Sequence, residues 1–150
     1  MQRSNQDETQ LKISARLRAL RTIWFAMLVS VGLYYLLTLF TGNPHEDVRP
    51  NRQLFLALAA AGLLLVIVGL LLKQKYLNQA ANEQRIELVQ TGYVVAWAIT
   101  EVAALLGLLD FFLTGNRHYF ILFIIAACGH LLNFPRRQHL LDASPRSPLF

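Results

Sequence analysis

The chain has 150 residues, of which 55% are hydrophobic and 15% charged, with a formal net charge of +5. An ordinary soluble domain carries about one charged residue in four, so this composition argues against one and points to a membrane protein. A single cysteine, Cys128, excludes a disulfide framework and a cysteine metal cluster, and the basic excess flanks apolar blocks, which makes it a topology signal rather than a nucleic-acid footprint.

Residues 1–22, MQRSNQDETQLKISARLRALRT, are too long and too acidic for the n-region of a typical signal peptide, and no small-residue cleavage site follows. The first apolar helix is therefore expected to stay in the protein. Lys12, Arg16, Arg18 and Arg21 interleave with Leu11, Ile13, Leu17 and Leu20. That pattern predicts a short basic amphipathic lead-in lying on anionic headgroups. Residues 23–40 (IWFAMLVSVGLYYLLTLF) are free of charge and read as the first membrane helix. In the loop that follows, His45, Glu46 and Asp47 are the nearest approach to a metal-ligand set. Adjacent ligands seldom converge on one ion, so GNPHED reads as a solvated turn set by Gly42 and Pro44.

Residues 54–72 (LFLALAAAGLLLVIVGLLL) run without a charge for about the length that crosses a ~30 Å hydrocarbon layer. A polar stretch, 73–90, connects them to a third apolar helix, 91–113 (TGYVVAWAITEVAALLGLLDFFL), which contains Glu101. A central acid there costs about 2.5–3.5 kcal/mol, so it is expected to serve a purpose. Beside it Ala96, Thr100, Ala103, Ala104 and Gly107 form a small-residue stripe, the pattern that lets helices approach closely in lipid. Desolvation favours the neutral acid, whose hydroxyl can donate one hydrogen bond. Access to water or a base favours ionisation, and alternation between the two environments is what a proton or cation carrier requires. Asp110, near the far end of the same helix, reads as an interfacial acid within reach of headgroups or water.

Residues 119–134 (YFILFIIAACGHLLNF) predict a fourth, shorter membrane helix carrying His130 and Asn133. Pro135 ends it, because proline disfavours helical geometry in the residue before it. His130, close to Pro135, Arg136 and Arg137, reads as a capping or headgroup contact, and Cys128 as a small packed hydrophobe. Residues 135–150 end in LLDASPRSPLF, with two prolines and no period, and are expected to be a flexible tail.

Lys and Arg concentrate before the first helix, between the second and third, and after the fourth, whereas the other two connections hold only Arg49, Arg52 and Arg117. The expectation is one all-α domain of four crossings (23–40, 54–72, 91–113, 119–134) in the cell inner (plasma) membrane, with both termini cytoplasmic. An internal repeat runs through it. Trp24 to Gly42 aligns with Trp97 to Gly115 without a gap, and Asn51 to Ala61 aligns with Asn116 to Ala126, as a duplicated hairpin would. Leu28 then occupies the place of Glu101.

The segment AWAITEVAALLGLLDFFL resembles the carboxylate-bearing helix of the rotary ATPase proteolipids, the c subunits of F-type and K subunits of V-type enzymes. Their pattern of alanine, acid, then six residues on a glycine and leucine is filled by Ala98, Glu101, Gly107 and Leu108. With the helix 54–72, the similarity covers residues 54–114. It implies a mid-membrane proton or sodium site at Glu101, loaded and unloaded as a ring of copies turns against a stator. The chain departs from the family in its loop, KQKYLNQAANEQRIE, which is longer and lacks proline, and in having Ala57, Ala59, Ala60, Ala61 and Gly62 where the family has alternating glycines.

No nucleophile elbow, phosphate loop, HExxH or CxxC is present, so an independent enzyme is not expected and neither cofactor nor metal is implied. Two functions stay open. One is a scaffold or accessory subunit of a larger membrane complex, in which Glu101 stays protonated and fixes helix packing or pairs with a partner's Arg or Lys. The other is a proteolipid-like subunit that translocates protons or sodium at Glu101, with Thr100, Asp110 and His130 as secondary candidates. The expected partners are membrane lipids and other membrane subunits or copies of the same chain, not nucleic acid.

Overall fold

The computed structural model describes residues 2–42, 51–114 and 116–144. They form five helices, α1 (Gln2–Thr41), α2 (Arg52–Glu83), α3 (Ile86–Thr114), α4 (Phe120–Leu132) and α5 (Arg137–Asp142), with no strand among the described residues. Three segments, Gln10–Thr41, Arg52–Glu83 and Ile86–Leu113, are long and apolar enough to cross a membrane.

The helices are longer than their apolar runs because the flanking polar sequence is also helix-forming. No proline or glycine interrupts residues 2–31, and α1 is one helix of 40 residues, about 60 Å at 1.5 Å per residue. The expected surface lead-in is therefore the first half of α1. Its apolar side does not lie on headgroups: Ile13, Leu17 and Leu20 are buried against Ala80, Val89, Leu140 and Ala143. The polar stretch 73–90 is likewise helical except for a tight turn at Gln84 and Arg85. Gln84 takes the left-handed cap conformation at φ 54°, and its side chain donates to the Ala81 carbonyl at 2.7 Å.

Glycine and alanine set the spacing of the helices. Antiparallel α2 and α3 meet where a Cβ on Gly69 would stand 3.2 Å from the Ala96 carbonyl oxygen, and one on Gly92 2.7 Å from the Tyr76 Cβ. α4 lies across this hairpin with Gly129 against Thr100 and Val66, and with Gly107 against Leu122 and Phe123. α1 runs parallel to α3 and packs on α3 and α4, with Val31 in the same cluster as Phe123 and Ala126. At one end of the bundle Arg16 pairs with Glu87 at 3.0 Å and Arg137 donates to Gln10 at 2.6 Å. At the other end Thr38 meets Tyr119. The first is called the basic end below.

The tail also differs from expectation. Residues 137–142 form α5, and Leu140 and Ala143 are each only 1% exposed, so the chain after Pro135 is docked on α1, α2 and α3 rather than flexible as far as Ser144. Leu140 and Ala143 supply the apolar anchors, and the Gln84 side chain donates to the Asp142 carbonyl at 3.3 Å.

Close packing gives a direct test. A Cβ at Gly129 would fall 2.8 Å from the Thr100 methyl and 3.0 Å from both Val66 methyls, whereas one at Gly32 meets nothing within 4 Å. Gly129→Ala is expected to lower stability by about 1–3 kcal/mol through overpacking, and Gly32→Ala to stay within about 0.5 kcal/mol. Unfolding midpoints of the two variants in mixed micelles titrated with SDS check the difference.

Candidate functional site

Glu101 stands near the middle of α3, and three neighbours converge on its carboxyl. Ser30 on α1 shares a short hydrogen bond with Oε1. Tyr34, one turn further along α1, brings its hydroxyl to the same group. His130, in the last turn of α4, places Nε2 3.3 Å from Oε2. The carboxyl thus ties α1 and α4 to α3. The His130 side chain is fully buried and the Glu101 side chain 14% exposed, so the pair is open on the glutamate side only.

Proton counting shows what this cluster can hold. Ser30 has one O–H yet lies at hydrogen-bond distance from two groups, the Met27 carbonyl at 2.7 Å and Glu101. With a neutral carboxyl, Glu101 donates to Ser30 and Ser30 donates to Met27. With a carboxylate, Ser30 turns its proton to Glu101. His130 Nε2–H donates in both states. The second imidazole nitrogen, Nδ1, is buried without a partner among the described residues. A bare lone pair there costs less than an unpaired N–H, so the tautomer with its proton on Nε2 fits the site. One proton can enter or leave by rotation of one hydroxyl.

The end of α4 explains why His130 is held so firmly. A helix C-terminus leaves carbonyls without intrahelical donors, and here they are taken up one after another. Gly129 O accepts from the Asn133 side chain at 2.9 Å, and His130 O from the Trp24 indole at 2.7 Å. Leu132 O accepts from Lys73 Nζ at 3.3 Å, a cation where the helix dipole favours one. Asn133 O accepts from the Trp97 indole at 3.1 Å. The Tyr93 hydroxyl accepts from the Arg136 amide at 3.2 Å and shares a proton with His139 Nδ1 at 2.7 Å. Two tryptophans, a lysine and a tyrosine from three helices therefore fasten the break between α4 and α5.

The candidates from the sequence separate in space. Thr100 is buried, bonded to the Ala96 carbonyl at 2.8 Å with its methyl on Gly129, so it serves packing beside the cluster. Ala96, Ala103, Ala104 and Gly107 are buried on the helix-facing sides of α3. Asp110 lies about 14 Å further along the α3 axis and outside the cluster. It is fully buried rather than in reach of headgroups or water. His130 makes no headgroup contact; it is 0% exposed and paired with Glu101. Cys128 is exposed instead of packed. His45, Glu46 and Asp47 lie outside the described residues. Sequence reasoning missed Ser30 and Tyr34, whose signal is two hydroxyls one turn apart in an otherwise apolar run.

Comparison with protein-family models, with curated proteins and with solved structures finds no match for the chain.

His139 makes the docking of α5 sensitive to pH. Burial holds its imidazole below the ordinary histidine range, with Lys73 and Arg136 adding to the effect and Asp142 opposing it. A folded value below the unfolded one of about 6.5 gives stability that is fully present above pH ~6.5 and is lost as pH falls through the folded value. Protection of the amides in residues 137–142, taken relative to the intrinsic exchange rate at each pH, is expected to fall as pH drops below about 6.5. His139→Gln, which keeps a hydrogen-bonding side chain but cannot titrate, should flatten that dependence.

Proposed function

We propose that the chain is an accessory or scaffold subunit of a larger membrane complex, in which Glu101 fixes the packing of its own helices. The observation that carries this reading is the origin of the donors: Ser30, Tyr34 and His130 all belong to the chain itself and come from α1 and α4. A partner's Arg or Lys is not needed to satisfy the carboxyl. Apolar side chains such as Phe25, Leu33 and Phe40 on α1, and Leu63, Leu64 and Leu71 on α2, remain exposed for lipid or neighbouring subunits.

In this reading the protein crosses the cell inner (plasma) membrane four times with both termini cytoplasmic. α4 has 13 residues and covers about 20 Å of a ~30 Å core, and the non-helical link 133–136 carries the chain on toward the basic end. Lys12, Arg16, Arg18, Lys73, Lys75, Arg85, Arg136 and Arg137 gather at the basic end, which supports placing that end in the cytoplasm.

One observation favours a second reading, proton exchange at Glu101. The site accommodates both protonation states with the same heavy-atom arrangement, and its glutamate is reachable from one side while His130 is sealed. The nearby groups are an imidazole nitrogen and hydrogen-bond donors, which suits a proton better than a sodium ion, whose shell is built from oxygen acceptors. A proteolipid-like role would be a special case of this reading.

Glu101→Leu is expected to cost about 1 kcal/mol, two hydrogen bonds at roughly 0.6 kcal/mol each, and to reduce recovery of the native complex with the tagged chain. Glu101→Gln, which keeps the shape and can still donate to Ser30, should retain assembly. Proton uptake by proteoliposomes under an imposed pH gradient separates the readings. Unchanged uptake in Glu101→Gln supports the structural role, and uptake lost with assembly intact supports proton exchange. Selective, pH-dependent reaction of Glu101 with a hydrophobic carbodiimide would point the same way as lost uptake.

A further inference from the structure

At the basic end a group of cations lies where the apolar run of α2 stops. Lys73 directly follows Leu72 and is 8% exposed. Its ammonium has three donors, and the protein uses one, to the Leu132 carbonyl at 3.3 Å, with the Tyr93 ring face 5.7 Å away. Arg136, exposed at the break between α4 and α5, meets the same tyrosine, its amide bonded to the Tyr93 hydroxyl at 3.2 Å, so the two cations are presented around one side chain, close enough for their charges to act on each other. Among the described residues no carboxylate pairs with Lys73 or Arg136: Glu83 and Glu87 are taken by Arg85 and Arg16, and Asp142 bears on His139. Among the described residues, like charges have thus been assembled by α2 and the break without a carboxylate in ion-pair contact. The backbone that presents Arg136 is fixed, since its amide is bonded to the Tyr93 hydroxyl.

We propose that Lys73 and Arg136 form a binding site for the phosphate of an anionic phospholipid. The level suits it: Lys73 stands where the apolar run of α2 ends, and the half-buried Trp24 lies beside the break, the position such a side chain takes at a membrane interface. Basic pockets between membrane helices on the cytoplasmic side take anionic headgroups. A phosphate oxygen accepts the two ammonium donors that the protein leaves over and lies between the two cations, relieving their repulsion. The lipid would hold α2 to the α4–α5 break, the joint on which the docking of α5 depends. The inference rests on the membrane placement proposed above and is independent of the role of Glu101.

The test uses the full chain purified in mixed micelles containing phosphatidylglycerol and phosphatidylcholine, with retained lipid read by native mass spectrometry. The parent is expected to retain phosphatidylglycerol in preference. Lys73→Gln and Arg136→Gln should each lower that preference about fivefold, as the loss of one interfacial cation predicts. Lys75→Gln, at an exposed position on α2, should leave it unchanged. Arg136 is exposed and its side chain makes no hydrogen bond among the described residues, so its variant reports binding even if Lys73→Gln weakens the break. Equal retention of both lipids, parental preference in Arg136→Gln, or displacement of the lipid by equimolar inorganic phosphate would overturn the proposal. Loss of lipid preference in chains that still resist alkaline carbonate extraction keeps it distinct from the membrane placement itself.

Discussion

The structure depends on one constraint: α4 stops before it has run the length of the bundle, and the carbonyls of its last turn have to find donors among apolar side chains. Backbone that is neither helix nor sheet is tolerated at such a place only where other groups satisfy it. Trp24, Trp97, Lys73, Tyr93 and Asn133 do so. Their positions fix the height of α1, α2 and α3 against the break, and with it the return of the chain as α5.

The Glu101 cluster follows from the same arrangement. His130 is held twice, its carbonyl by α1 through Trp24 and its ring by α3 through Glu101. Ser30 and Tyr34 close the triangle from α1. The acid is thus the centre of a three-helix junction, where removing Glu101 leaves the fully buried His130 ring with no partner at either nitrogen among the described residues. In an apolar surround that penalty exceeds the value of any single hydrogen bond. This asymmetry, more than the strength of the pair, gives Glu101 its leverage over packing.

Much of the fold was legible because it is written in local pattern. The apolar runs located the cores of α1, α2, α3 and α4, and the cost of a carboxyl among them singled out Glu101. The small residues of α3 lie where α2 and α4 approach it. What escaped was non-local. His130 lies beside Pro135 and two arginines in sequence, which suggested a surface, whereas folding back along α3 brings it to Glu101. The 3.6-residue spacing of Ile13, Leu17 and Leu20 was visible, but periodicity reports a buried face without saying what buries it, and the cover turned out to be protein. The tail misled because prolines near its end dominated the reading of Leu140 and Ala143. The repeat alignment paired Trp24 with Trp97, and both indoles do the same work on the end of α4, since α1 and α3 run parallel on either side of it. The alignment could not reveal Ser30, because it set Leu28 opposite Glu101.

The two halves of the bundle are held by different forces. At the basic end the helices extend past their apolar runs, and the cluster around Ile13, Ala80, Val89, Tyr93 and Leu140 is roofed by charged and amide side chains such as Arg16 with Glu87 and Arg137 with Gln10. In the membrane placement proposed above, water surrounds that part, so apolar burial there draws on the hydrophobic effect. Around Val31, Val66, Ala103 and Ala126 the alternative to a neighbouring helix is, in the same placement, lipid as apolar as the core itself, and burial contributes little. Close contact at small residues and a few polar bonds must hold that half together. Glu101, His130 and the tryptophan-capped break lie between the two regimes, so they couple the orientation of helices in the apolar layer to a core that folds as a soluble one does.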